Sequence, residues 1–398
     1  MAENITIFNT VYDISSFMKK HPGGETIMKF WLNKDATIPF LEFHSNINRV
    51  STYLKSLPII NKFDIREEKQ HNDFSTFISF RNFLKKNGYY RHSKIHAFKR
   101  ISELLLLFGL GSFLLKKDYW YLSILSFGWF GSRCGWVQHE CGHRSFLGSK
   151  YDCILQPLVM GLGLGSSSDS WNIGHNRHHA STQVENNDVD LKTLPFVCFN
   201  SKLLPSRFSY LIKYQYYTFL TLVCPFITQN FWVYFSHWKF IIRRGNLGLD
   251  GTCMILSHTV LPYLVSVYSD KTFTYTYLTL FVSKSITSFH LFSNFALSHS
   301  HTELNENDSD WVSSSLNHTV DINPENHFIN YYMGFLNCQT VHHLFPMTPQ
   351  FRHPEISKLL KLWCEKHNLQ YNIISYPDAW KKTMLNLKNV GNDHKKTN

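Results

Sequence analysis

The sequence predicts a mainly α-helical chain. A small soluble module comes first, followed by a polytopic membrane bundle of about four spans in two hairpins with a metal centre on one face. Three observations predict this. Histidines cluster in His139-Glu-Cys-Gly-His143, His175-Asn-Arg-His178-His179 and Gln339-Thr-Val-His342-His343. Each cluster follows a strongly apolar stretch. Aromatic residues make up 16% of the chain and charged residues only 17%, below the usual share of about 25%. Within each cluster the spacing is i, i+4 or i, i+3, i+4, which places the side chains on one face of a helical turn. Imidazole suits iron, zinc, copper and nickel. Seven histidines and a glutamine exceed what one metal uses, so two metals are predicted at a membrane face.

At 398 residues the chain is long enough for two or three domains. Its mean hydropathy of -0.21 requires a sizeable polar portion outside the bilayer. The net charge of +11 comes with no basic-aromatic module, so no nucleic-acid partner is predicted. Attraction to anionic membrane lipids accounts for it, as does a generally basic solvated surface. Eight scattered cysteines without a CxxC pair exclude a disulfide framework or zinc ribbon and fit a reducing compartment. Cys141 lies inside the first cluster, where the flanking histidines already have ligand spacing. Met1 to Thr10 carries no basic-then-apolar signal, so internal segments must direct insertion.

The soluble module spans residues 1–60. Its landmark is His21-Pro22-Gly23-Gly24, a turn between two helical patterns in which proline fixes φ and the glycines permit tight geometry. His44 follows Phe40, Leu41 and Phe43. Two histidines beside apolar residues suit gripping a flat hydrophobic cofactor, and equally suit one turn histidine and one surface histidine. Residues 61–100 form a polar connector. In it Phe74, Phe77, Phe80 and Leu84 recur at helical spacing, as an interfacial amphipathic helix or an ordinary packing helix would have them. Arg91, Lys94, Lys99 and Arg100 then mark the cytoplasmic side of the first apolar run.

The membrane domain is assigned to residues 101–398. Ile101 to Leu115 and Tyr119 to Val137 form a first hairpin around Lys116-Lys117-Asp118, although lysines in that loop run against the positive-inside rule. Cys153 to Gly165 is short and glycine-rich, hence re-entrant or buried against the membrane. Thr252 to Tyr268 and Thr274 to Leu297 make the second hairpin around Ser269-Asp270-Lys271. Clusters that share metals must lie on one side, so an even number of spans separates the second from the third. Parity therefore assigns the apolar segment 210–235 to the interface, anchored by Lys239, Arg243 and Arg244. The chain ends Lys395-Lys396-Thr397-Asn398, similar to the dilysine retrieval signal of endoplasmic reticulum membrane proteins and equally to a solvated basic tail.

Val11-Tyr12-Asp13-Ile14, His21-Pro-Gly-Gly24, Lys34-Asp35-Ala36-Thr37 and Phe43-His44-Ser45 resemble, in that order, cytochrome b5, a small α+β fold. The resemblance implies His21 and His44 as axial ligands of haem b. The full chain resembles the front-end fatty acid desaturases, membrane di-iron enzymes with an N-terminal cytochrome b5 domain. This implies two non-haem irons held in a cytosolic cap by His139, His143, His175, His178, His179, Gln339, His342 and His343. Gln339 stands where most other desaturases carry histidine. The family's further histidine near the fourth span fits His299 best, with His301 the second choice. Glu140 replaces the usual aspartate of the first box, and Thr340 and Val341 replace an aliphatic residue and a glutamate. Asp188 and Asp190 match an acidic segment that follows the second box and are candidates to support a ligand histidine from behind; solvated loop acids are the plainer expectation. The remaining histidines, among them His92, His96, His237, His290 and His353, have no spacing tied to the boxes.

The implied activity is an O2-dependent desaturation of delta-5 or delta-6 type. A cis double bond is inserted into an unsaturated acyl chain carried on CoA or a phospholipid, with electrons from NADH through cytochrome b5 reductase. Tethering a one-electron carrier to its acceptor raises its effective concentration to about the millimolar range, which explains why both halves share one chain. The implied location is the endoplasmic reticulum membrane, with the boxes and both termini cytosolic. Two alternatives stand beside it: a sphingolipid long-chain-base desaturase or lipid hydroxylase, and a membrane-tethered haem carrier whose desaturase half has decayed.

Overall fold

The computed structural model describes residues 3–62, 72–204, 209–306 and 310–396. The side chains of Phe74, Lys395 and Lys396 and the terminal residues 397 and 398 lie outside the described part, so the proposed retrieval signal does too.

The N-terminal module is α+β. Strands β1 (Asn4–Ile7), β2 (Thr10–Asp13) and, after three short helices, β3 (Ile59–Lys62) form an antiparallel sheet in the order β1-β2-β3. The helices α1 (Glu25–Phe30), α2 (Thr37–Phe43) and α3 (Ile47–Leu54) lie between β2 and β3. His21 and His44 sit just before α1 and at the end of α2. Gly23 is needed for contact: a Cβ there would come within 2.8 Å of the His21 ring. Gly24 is needed for backbone, with φ of +92° at the entry to α1.

Helix α4 (Asn72–Lys86) resolves the open reading of the connector. Phe77, Phe80 and Leu84 are buried. Phe77 stacks on Phe345 at 5.3 Å, and Phe80 on Trp363 at 5.6 Å. The aromatic stripe is therefore a packing face against the C-terminal domain, not an interfacial one. Local spacing could not decide this, because both uses have the same 3.6-residue period.

Helices α5 (Lys94–Lys116) and α6 (Trp120–Gly142) occupy the first predicted hairpin. After α7 (Ser149–Pro157), a π-helical stretch, Leu158–Leu164, runs between α6 and a later helix. Its glycines admit the neighbours, since a Cβ at Gly163 would lie 2.6 Å from Cys134 Sγ. Helix α8 (Ser168–Ala180) carries the second box. Short helices α9 (Ser209–Lys213) and α10 (Gln215–Thr218) lead into a π-helical run, Phe219–Phe235, and α11 (Ser236–Arg244).

The second hairpin comprises α12 (Gly248–His258), α13 (Val260–Ser269) and α14 (Phe273–Ala296). Among the described residues, the stretch Gly248–Ser269 is long and apolar enough to cross a membrane by length and composition. The 219–235 run packs along α14. Helix α14 packs closely on α6, where Gly128, Gly131 and Gly135 receive Ile286, Thr287 and Leu291. A Cβ at any of the three would collide with those side chains, so the glycines set the spacing between hairpins.

The C-terminal part supplies α15 (Trp311–His318), β4 (Asp321–Ile322), α16 (His327–Tyr332), α17 (Gln339–Leu344), α18 (His353–Lys366), β5 (Ile373–Ile374) and α19 (Tyr376–Lys396). Strands β4 and β5 pair in parallel. The third box lies on α17, every residue of which is buried. The eight cysteines are unpaired thiols, and Cys141 is packed in an apolar cluster rather than among ligands.

Candidate metal centre and haem site

Three helix ends bring the boxes together. His139 lies in the last turn of α6 and His143 closes it, His175, His178 and His179 lie on the C-terminal half of α8, and Gln339, His342 and His343 span α17. They sort into two groups. In one, His143 Nε2 is 2.9 Å from His175 Nε2, which is 3.1 Å from His179 Nε2, itself 2.9 Å from His342 Nε2. His139 joins them with its Nε2 otherwise unpartnered. The other holds His178, His299 and His343. The side-chain amide of Gln339 lies 2.9 Å from His299 Nε2 and 3.4 Å from His343 Nε2.

These spacings fit metal ions. Two nitrogens each about 2.1 Å from one metal, at angles of about 90–110°, stand about 3.0–3.4 Å apart. Hydrogen bonds fit less well. Alternating donors and acceptors along four neutral imidazoles supplies two protons for three contacts, whereas a cation serves every lone pair at once. The Gln339 atom nearest the second group is its amide nitrogen, Nε2. Of the two predicted alternatives, His299 lies in that group. His301 lies outside both, and its two ring nitrogens have no partner.

Three of the outer ring nitrogens, on His178, His139 and His343, are held by residues from elsewhere in the chain, while Nδ1 of His179, His299 and His342 has no hydrogen-bond partner among the described residues. His178 Nδ1 donates to Asp188, whose carboxylate oxygens lie at 2.9 and 3.0 Å. Burial alone would lower the His178 pKa, but the carboxylates of Asp188 and then Asp190 raise it to about 9. Both acids reach His178 Nδ1, as the candidate supporting role requires, and they differ in exposure. Asp188 is fully buried and also accepts from the backbone of Gln183 and Asp190, while the Asp190 side chain is 60% exposed. The side-chain amide nitrogen of Gln350 lies 2.7 Å from His139 Nδ1. Thr182 Oγ1 lies 3.1 Å from His343 Nδ1. Burial pushes His143 and His299 down to about 3, which keeps both neutral and able to bind metal.

The altered positions in the first and third boxes have defined surroundings. Glu140 accepts from the Gln350 backbone at 3.0 Å and lies 3.1 Å from His96 Nε2. Thr340 donates its backbone N–H to the buried Asp321 at 2.8 Å, and Val341 is fully buried in the apolar core. Asp321, which also accepts from Ser357 at 3.0 Å, pins the start of α17. Sequence reasoning missed Gln350, Thr182 and Asp321, and treated His96 and His353 as unconnected to the boxes. The correction comes from tertiary contact: His96 reaches Glu140, and the His353 ring lies 5.9 Å from that of His342. None of these contacts has a local spacing that announces it.

In the N-terminal module the rings of His21 and His44 face each other with centroids 6.1 Å apart. Two metal–nitrogen bonds of about 2 Å, plus the distance from each nitrogen to its ring centre, account for that gap. His44 Nδ1 lies 2.9 Å from the Phe40 carbonyl, an arrangement that leaves Nε2 for iron. Burial, and then the neighbouring His44, lowers the His21 pKa to about 4.

A cavity of about 480 Å³ opens onto both metal groups, reaching His175, His178, His299 and Gln339. Its walls continue away from them along Leu291, Phe292 and other apolar residues to Val233 and Lys284. Trp171 lines it and stacks on His175 at 4.2 Å.

Residues 118–375 match the family model for fatty acid desaturases, and residues 4–64 match that for the cytochrome b5-like haem/steroid-binding domain. The chain is 32% identical to an acyl-lipid (8-3)-desaturase of Rebecca salina, over 98% of this chain and 91% of that protein. The chain belongs to the fatty acid desaturase family. An acyl-lipid (8-3)-desaturase of Thraustochytrium sp is 31% identical to this desaturase over 98% of the chain and 92% of its own length. Fatty acid desaturase 3 of Homo sapiens is 28% identical over 97% and 89%. The desaturase is thus an oxidoreductase with a fused haem-binding cytochrome b5 domain, and its histidine clusters are consistent with a di-iron centre.

Proposed function

We propose that this desaturase removes two hydrogens from a methylene pair of an unsaturated fatty acyl chain. The product carries a new cis double bond between an existing one and the carboxyl end. The cavity carries this reading, because a single space with apolar walls meets both histidine groups. Gln339 beside His299 and the names of the two (8-3)-desaturases support the front-end assignment.

His139, His143, His175, His179 and His342 would hold one iron, and His178, His299, His343 and Gln339 the other. When bound, the two irons supply the O2-derived oxidant that breaking an unactivated C–H bond requires, which no side chain provides. The protein orients the ligands through Asp188, Gln350 and Thr182. It excludes water with Trp171 and the apolar wall, and lays the acyl chain along α14. His21 and His44 would hold haem b, reduced by NADH through cytochrome b5 reductase.

The long helices are read as four spans in two hairpins within the endoplasmic reticulum membrane, with boxes and termini cytosolic. Leu105, Leu106 and Leu110 on α5 and Tyr263, Leu264 and Val267 on α13 are exposed apolar residues that lipid would cover. The division into 1–60, 61–100 and 101–398 belongs to the same proposal.

The test is lipid profiling of yeast expressing the full chain and fed candidate polyunsaturated acids. The expected product carries one new cis bond on the carboxyl side of an existing one. A product hydroxylated instead, or desaturated only in the long-chain base, would overturn the substrate assignment. A metal-loaded chain that changes no lipid would overturn the activity.

A further inference from the structure

The end of helix α2 is the point where the haem module meets the metal centre. Phe43 is joined by one peptide bond to His44, and its ring meets that of His179 edge to face at 5.8 Å. It also meets Trp311 edge to face at 6.0 Å, and Trp311 Nε1 donates to the His179 carbonyl at 3.0 Å. On its other flank the same turn is clamped by α4. Arg81 Nε pairs with the Glu42 carboxylate, and Arg81 Nη2 donates to the Leu41 carbonyl at 2.8 Å. The Tyr90 hydroxyl lies 3.1 and 3.0 Å from the two Glu42 oxygens. Glu42 is fully buried and Arg81 is 4% exposed. A buried pair satisfied this completely is costly to open, because either partner left alone would be an uncompensated buried charge.

We propose that Phe43 is the contact through which electrons pass from the haem module to the metal centre, and that the Arg81–Glu42 pair fixes the module in the delivering pose. The inference rests on the proposed roles of His44 and His179. One electron is lost by ferrous haem and gained by one ferric non-haem iron, with no bond made or broken in the protein. The geometry assigns a docked route. A flexible tether would only raise the frequency of encounter; here the aromatic contact and the buried ion pair hold the donor against the acceptor throughout.

The test follows haem reoxidation by stopped-flow absorbance in the full-length, haem- and iron-loaded protein, reduced at the haem and kept anaerobic. In the wild type the rate is expected to be independent of protein concentration and of added sucrose, because no domain swing limits it. Phe43→Leu keeps an apolar side chain but removes the ring. It should slow the phase about tenfold, a barrier rise of about 1.4 kcal/mol, with haem spectrum, midpoint potential and iron content unchanged. Phe43→Tyr should restore the rate. A wild-type rate that falls with viscosity, or a Phe43→Leu rate equal to wild type, would overturn the docked route. The viscosity measurement stands even if Phe43→Leu proves unstable. Absence of haem or of non-haem iron from the wild-type protein would instead refute the proposed function.

Discussion

His178 donates its Nδ1 proton to a carboxylate of Asp188 that is wholly buried, at 2.9 and 3.0 Å. This fixes the ring so that Nε2 points toward His299 and His343. It also places negative charge behind a candidate ligand, which makes imidazole a stronger base toward a metal.

Replacing Asp188 by Asn keeps the shape and removes the charge. Iron affinity is expected to fall by about 10–100-fold, read as iron retained through graded chelator. Asp190→Asn, at a largely exposed carboxylate 3.4 Å from the same ring nitrogen, should lose less iron than Asp188→Asn. Equal loss in both variants would mean that the acidic segment acts generally and that Asp188 has no special place.

His178→Ala removes the ligand itself. Desaturation in fed yeast should be lost while haem absorbance is retained, since His21 and His44 lie in a separate module. His301→Ala, outside both groups, should leave desaturation intact. Activity surviving in His178→Ala would refute the ligand assignment.

Acid should destabilise the metal-free protein. Burial first of all depresses His143 and His299 to about 3 and His353 to about 4, against an ordinary 6.5. The folded chain holds them neutral while the unfolded chain protonates below 6.5. Their stabilising effect is therefore present above 6.5 and is lost as pH falls toward 4, each contributing about 1.4 kcal/mol per pH unit. His178, raised to about 9, acts in the opposite direction and loses its contribution as pH rises through 9. Below 6.5 His178 is protonated in both the folded and the unfolded chain and opposes nothing, so Tm measured in chelator should fall steadily from pH 6.5 to 4. A flat profile would show that these histidines are already exposed without metal.

Gly131→Val places a branched side chain where Thr287 of α14 already sits. Overpacking costs about 1–3 kcal/mol, and the effect should appear as a lower Tm and reduced iron content, because α6 and α14 lead to His143 and His299. The paired change Gly131→Val with Thr287→Gly should recover part of the loss. No recovery would place the strain elsewhere.

Much of this was legible in the residues. The box spacings gave the helical placement of each cluster, because i, i+3 and i+4 adjacency is local geometry. The paired apolar runs gave the two long-helix hairpins for the same reason. The Phe77, Phe80 and Leu84 stripe was visible, yet its partner was not, since a 3.6-residue period says that a face is buried without saying against what. Asp188 and Asp190 looked alike in sequence. Only the fold shows that both reach His178, Asp188 from full burial at 2.9 Å and Asp190 from a largely exposed position at 3.4 Å.

By itself the sequence determined which groups this chain can offer: histidines clustered on helix turns, a cytochrome b5-like module, and apolar helices to carry them. The tertiary structure decided how those pieces are wired. It divided nine ligand candidates between two groups, placed Gln350 and Thr182 behind His139 and His343, and set Phe43 against His179. These are contacts between residues 136 to 211 positions apart. No local propensity encodes them, and they exist only because the close-packed helices leave those side chains no other arrangement.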